Sequence, residues 1–139
     1  MQIFKNIIRN LSKKIFSIFL SSKIGMQLND ITITNVMNRI ESINHNNILL
    51  KFTVPNNLNQ FRVKTFATKE PETLAWIDGF EKNSIFWDIG SNIGLYSCYV
   101  AKKKNCRVFS FEPSVFNLEL LARNIYINHL QDKITIIPI

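Results

Sequence analysis

Two carboxylates carry the chemistry that this sequence suggests. Asp88 opens the stretch Asp88-Ile89-Gly90-Ser91-Asn92-Ile93-Gly94, and Glu112 lies in Phe111-Glu112-Pro113, 24 residues further on. At the ends of neighbouring parallel strands the two acids would flank one crevice. Gly90 supplies the permissive backbone that a strand-to-helix turn needs, and its missing side chain lets a ligand approach the main chain. Gly94, one turn into the helix, permits close packing, and the first N–H groups of that helix can receive a carboxylate or another electronegative group. A carboxylate at position 112 can accept hydrogen bonds from both hydroxyls of a ribose. The pair therefore reads as a site for an adenosine-containing cofactor.

What is absent narrows the cofactor. A dinucleotide fingerprint has glycine where this chain has Asn92, so that a pyrophosphate can rest on the main chain. Asp88 adds negative charge where a diphosphate would pass, and the same charge suits an ammonium. S-adenosylmethionine, with a ribose, a carboxylate, an ammonium, a sulfonium and no phosphate, fits these charges better than NAD.

The elements that must position these residues follow from periodicity. From Ser84 on, short apolar runs alternate with helical stretches, the pattern of βαβ units on a parallel sheet. Strands are expected at Ile85–Ile89, Arg107–Phe111 and Ile134–Ile137, with helices from Asn92 to about Lys103 and from Ser114 to about Leu130. Upstream, Thr68 to Asp78 reads as a helix with Pro71 near its start and Gly79 at its stop. Asn47 to Val54 alternates as a strand ended by Pro55. Residues 28 to 47 hold seven Asn or Asp and read as loop, with a marginal strand at Ile31 to Thr34.

The fold class is thus α/β, in three segments: a helix over 1–24, a strand and loop region over 25–67, and the first βαβαβ unit of a larger domain over 68–139. A 46% hydrophobic, 19% charged composition is that of a globular chain. Of the net charge of +7, +5 lies before Asp30, so the body is no basic nucleic-acid-binding surface. Cys98, Cys106, His45 and His129 form no metal-ligand spacing, and two unpaired thiols fit a reducing, cytoplasmic setting. In residues 3–20 the apolar Ile3, Phe4, Ile7, Ile8, Leu11, Ile15, Ile18 and Phe19 recur at helical spacing among Lys5, Arg9 and Lys13. Such a basic amphipathic helix either packs on its own domain or adsorbs weakly to an anionic membrane surface.

At these residues the chain resembles the FkbM family of S-adenosylmethionine-dependent methyltransferases. The resemblance spans residues 45–139 and rests on the lead-in Thr68-Lys69-Glu70-Pro71-Glu72-Thr73-Leu74-Ala75-Trp76-Ile77-Asp78, the turn Asp88 to Gly94, Glu112, and Asn117, Asn124 and Asn128. It implies a Rossmann-like class I methyltransferase fold and a cofactor site of Asp88, Gly90, Ser91, Asn92, Gly94 and Glu112, helped by Glu72 and Thr73. The activity it implies is O-methylation of a sugar, glycan or secondary-metabolite hydroxyl. No base is assigned.

A sheet of that class has seven strands, and the chain reaches its third at Ile134–Ile137, so the sequence is expected to be a truncated fragment, inactive by itself. Two other readings compete: a nucleotide- or NAD-dependent oxidoreductase on the same fold, and a non-catalytic module tethered by the basic helix. A purely structural reading also stands, in which Asp88 caps the next helix and Glu112 pairs with a cation.

Overall fold

The computed structural model describes residues 2–139 and divides them into two compact units, 1–37 and 38–139. In the first unit helix α1 (Gln2–Leu20) packs against α2 (Lys23–Met37). Side chains of Ile3, Ile7 and Ile8, expected on the apolar face of α1, lie outside the described residues. Among those residues no helix is long and apolar enough to cross a membrane.

Helix α2 replaces the loop and marginal strand expected over 28–37. Ser22 explains its start: the Ser22 hydroxyl accepts the Gly25 N–H at 3.1 Å, the bond that satisfies an orphan donor of a first turn. Beyond Gly25 no Gly or Pro interrupts the helix. Thr32 returns its hydroxyl to the Leu28 carbonyl at 2.7 Å. The β-branched run Ile31–Thr34 is therefore carried by a helix already begun, because strand propensity yields to context.

The second unit begins with an antiparallel hairpin of β1 (Ile40–His45) and β2 (Ile48–Thr53). Asn46 and Asn47, both at positive φ (48° and 63°), make the two-residue turn whose twist suits paired strands. The expected strand over 47–54 is present, and the region before it pairs with it rather than looping. Three helices follow, α3 (Asn57–Lys64), the single turn α4 (Phe66–Lys69) and α5 (Pro71–Asp78). The helix expected from Thr68 breaks at Glu70, the residue before Pro71, whose backbone is non-helical at φ −139° and ψ 65°.

The remainder is a three-stranded parallel sheet in the order β3 (Ile85–Ile89), β4 (Arg107–Phe111), β5 (Ile134–Ile137), joined by α6 (Leu95–Lys104) and α7 (Val115–Ile127). All three strands lie at their expected bounds. Phe86, Val108 and Ile134, in register with one another, are buried, while Ile85, Trp87 and Ile89 are exposed. The last turn of α6 carries Lys102, Lys103 and Lys104, which suits the negative end of its dipole.

Two asparagines of α7 fasten the hairpin to this sheet unit. Asn128 accepts the Lys51 N–H at 3.0 Å and donates to the Lys51 carbonyl at 2.7 Å. Asn124, fully buried, accepts the Thr53 N–H at 2.7 Å and donates to the Ile93 carbonyl at 2.8 Å. These amides complete main-chain groups that β2 does not share with β1, so burial of that edge leaves no orphan donor.

Candidate functional site

The turn after β3 is built by left-handed residues: Gly90 at φ +78°, Asn92 at +54° and Gly94 at +83°. Gly90 and Asn92 adopt this region at low cost, because one has no Cβ and the other's short amide tolerates it. A Cβ added at Gly90 would meet nothing within 4 Å, whereas one at Gly94 would strike the Leu121 side chain. Gly90 thus leaves its turn open, and Gly94 lets α6 approach α7. Gly94 is the residue before α6 rather than one turn inside it, since the helix begins at Leu95 and not at Asn92.

Main-chain N–H groups of this turn are held by the end of β4. Gly90 and Ser91 both donate to the Phe111 carbonyl, at 2.9 and 3.0 Å. Asn92 donates to Glu112 Oε2 at 2.8 Å. The other carboxylate oxygen, Oε1, accepts the Ser114 N–H at 2.8 Å and the Asn117 amide at 3.2 Å. Glu112 is therefore buried, 5% exposed, and bonded to three donors. It ties the strand-to-helix turn to the start of α7, and it does not line the cavity described next.

That cavity, of about 380 Å³, lies between the turn and helices α3 to α5. Its volume falls within the usual range for small-molecule sites. Asp88, Gly90, Ser91 and Asn92 line it, and Thr73 joins them from α5. Glu72 does not; one residue earlier on the same helix, it points about 100° away and is exposed. The sequence reading missed Arg62, Glu70 and Tyr96, which also line the cavity. Glu70 was visible in the lead-in as an acid ahead of Pro71. Arg62 sits in a helix far from the glycine turn, and nothing local marks it.

Charge around the cavity is of both signs. Asp88 is half-buried, and its carboxylate accepts the Ser97 hydroxyl. Ser97 in turn bonds the buried Ser110 hydroxyl of β4 at 2.7 Å. Burial lifts the Asp88 pKa above the ordinary carboxylate value, hydrogen bonds from the Ser97 side chain and main chain oppose that rise, and the neighbouring Glu112 charge adds to it. Asp88 thus bonds the first turn of α6 through Ser97 and also lines the cavity. Also in the cavity lining, the Tyr96 hydroxyl donates to Glu70 at 3.0 Å, and burial, followed by that acid, pushes the phenol well above its usual range. Arg62 Nη1 donates to the side-chain oxygens of Asn92 at 3.0 Å and Asn59 at 3.2 Å.

Cys98 and Cys106 are buried free thiols, and burial pushes the Cys98 thiol up, away from reactivity. Among the described residues no group of His, Cys, Asp and Glu could hold a metal ion.

No family profile matches the chain. Hexuronic acid methyltransferase AglP of Haloferax volcanii is 30% identical over 74 residues, which are 53% of this chain and 30% of the relative. The chain thus spans about a third of the length of that curated relative. Among solved structures, PH0793 of Pyrococcus horikoshii superposes with a TM-score of 0.52 at 18% identity, over 70% of this chain and 35% of the other. M. jannaschii TYW2 in complex with AdoMet gives a TM-score of 0.52 at 17% identity, over 70% and 42%. With the parallel order β3-β4-β5 and two intervening helices, the chain carries an α/β Rossmann-like fold, the fold it shares with these solved structures.

Proposed function

We propose that this chain carries the cofactor-binding part of an S-adenosylmethionine-dependent methyltransferase of the FkbM type, acting on a sugar or glycan hydroxyl. The observation that supports it most is the open glycine turn, with Asp88 on the cavity wall and Glu112 holding the Asn92 N–H. Asp88 suits the ammonium of the methionine moiety. Main chain at Gly90, Ser91 and Asn92 forms the floor against which the cofactor lies, Gly94 sets the approach of α6, and Thr73 contributes to the wall. Glu112 acts beneath the ligand by orienting the turn through its bond to Asn92.

The cofactor supplies a methyl group on a sulfonium. Its transfer to an alcohol oxygen releases the hydroxyl proton and leaves a methyl ether and S-adenosylhomocysteine. Holding donor and acceptor in line accounts for much of the rate in such a reaction. The likeness to AglP, a methyltransferase named for a hexuronic acid, favours a uronic acid or related sugar as acceptor.

Calorimetry with S-adenosylhomocysteine and with NAD tests the cofactor assignment. Binding of the first and none of the second is expected. Preference for NAD would replace this reading with the oxidoreductase one.

A further inference from the structure

We infer that Arg62 is the anion-binding residue of the cavity and grips the α-carboxylate of the cofactor's amino-acid end, while Asp88, which lines the same cavity, takes the ammonium. This rests on the reading of the cavity as an S-adenosylmethionine site.

Arg62 is a half-buried cation on the cavity wall. Among the described residues the ion pairs within 4.0 Å join Lys69 to Glu70, Arg123 to Glu119 and Lys133 to Asp132; none involves Arg62. Lys69, the other cation lining the cavity, is thus already matched to Glu70, at 3.5 Å. A guanidinium withdrawn from water without an acid is costly unless a ligand supplies one.

Its hydrogen bonds show which part is committed. Both recorded bonds use Nη1, to Asn59 and Asn92, and both acceptors are neutral amide oxygens. They fix the plane of the guanidinium and leave Nε and Nη2, the edge that can hold a carboxylate through two parallel bonds. Asn92 has two tasks here. It takes the left-handed backbone of the turn, at φ +54°, and its side chain braces the arginine, which a glycine at this position could not do.

Asp88 and Arg62 line one cavity as opposite charges that do not pair with each other. A zwitterionic amino acid presents an ammonium and a carboxylate on one carbon, and two opposite charges held apart are the complement of that group. A phosphate or diphosphate would gain from Arg62 and be repelled by Asp88, so the pair selects a zwitterion over a nucleotide.

The test compares two ligands on two proteins by calorimetry. S-adenosylhomocysteine carries the carboxylate; its decarboxylated amine counterpart keeps the adenosine, thioether and ammonium but lacks it. Wild-type chain should bind the first about 10- to 100-fold more tightly, the value of a charge-assisted bond pair. In Arg62→Ala that preference should fall to within about threefold, with the decarboxylated ligand bound about as tightly as by wild type. Arg62→Lys, which keeps the charge and loses the fork, should retain an intermediate preference.

A preference that persists undiminished in Arg62→Ala overturns the inference. So does an equal loss for both ligands, which would make Arg62 only a brace for the turn. Wild-type protein that binds neither ligand overturns the reading of the cavity itself, and the inference falls with it.

Discussion

Glu112 Oε2 accepts the main-chain N–H of Asn92 at 2.8 Å, so the acid at the end of β4 holds in place the turn that follows β3. The same carboxylate bonds Ser114 and Asn117. Two strand ends and one helix start therefore share a single buried group, whose loss would orphan three donors at once.

Glu112→Ala should accordingly destabilise the chain by about 3 kcal/mol or more, since each unsatisfied buried group costs roughly 1 to 3 kcal/mol. Glu112→Gln keeps an acceptor and should cost roughly half as much. Urea unfolding midpoints check both, and equal stability of wild type and the alanine variant would show that the turn does not depend on Glu112.

Asp88 sets ligand binding against stability. Its folded-state pKa is raised, chiefly by burial, above the ordinary 3.8. A carboxyl raised on folding holds its proton more tightly in the native state. Its contribution therefore favours the fold at acid pH and is lost as pH climbs from 3.8 through the raised value. Asp88→Asn removes that titration, so the variant should lose less stability than wild type over this interval in melts at stepped pH. The same variant should bind S-adenosylhomocysteine about tenfold more weakly, having lost the partner of the ammonium.

Asn124→Ala should release β2 from α7. It leaves the Thr53 N–H and the Ile93 carbonyl without partners in a fully buried position, at a cost of about 2 to 4 kcal/mol. Hydrogen exchange at the Thr53 amide should accelerate more than exchange in β4. Uniform acceleration would place the effect in global stability instead.

Gly94→Ala combines a strained backbone at φ +83° with a collision against Leu121, for an expected loss of about 1 to 3 kcal/mol. In a Leu121→Ala background the collision disappears and the backbone strain does not. The penalty should therefore shrink without vanishing, as a double-mutant cycle would show.

Legibility in the sequence followed the range of the interactions. β3, β4 and β5 occupy their expected bounds because each is a short apolar run closed by turn residues, a purely local signal. Helix α2 was obscured because its β-branched run resembles a strand, and its cue, Ser22 ahead of an uninterrupted stretch, is weak. The hairpin turn at Asn46-Asn47 lacks the glycine that marks such turns most clearly, although Asn at both positions satisfies the same positive φ.

Among site residues, Asp88 and Gly90 to Asn92 stand at the cavity because a strand-to-helix turn announces itself by composition. Arg62 does not, since it reaches the cavity through packing of α3 across a gap of 30 residues from Asn92. Glu112 was legible as an acid at a strand end but not as a group with three hydrogen bonds. Those partners come from two separate elements that only the folded chain brings together.

Mapping of amide chemical shifts as S-adenosylhomocysteine is added to isotopically labelled protein tests the central claim most directly. The cavity site predicts that perturbations concentrate on Asp88 to Tyr96 and on Arg62 to Thr73, with NAD producing none at equal concentration. Shifts centred on another surface, or the same pattern from NAD, would contradict the account.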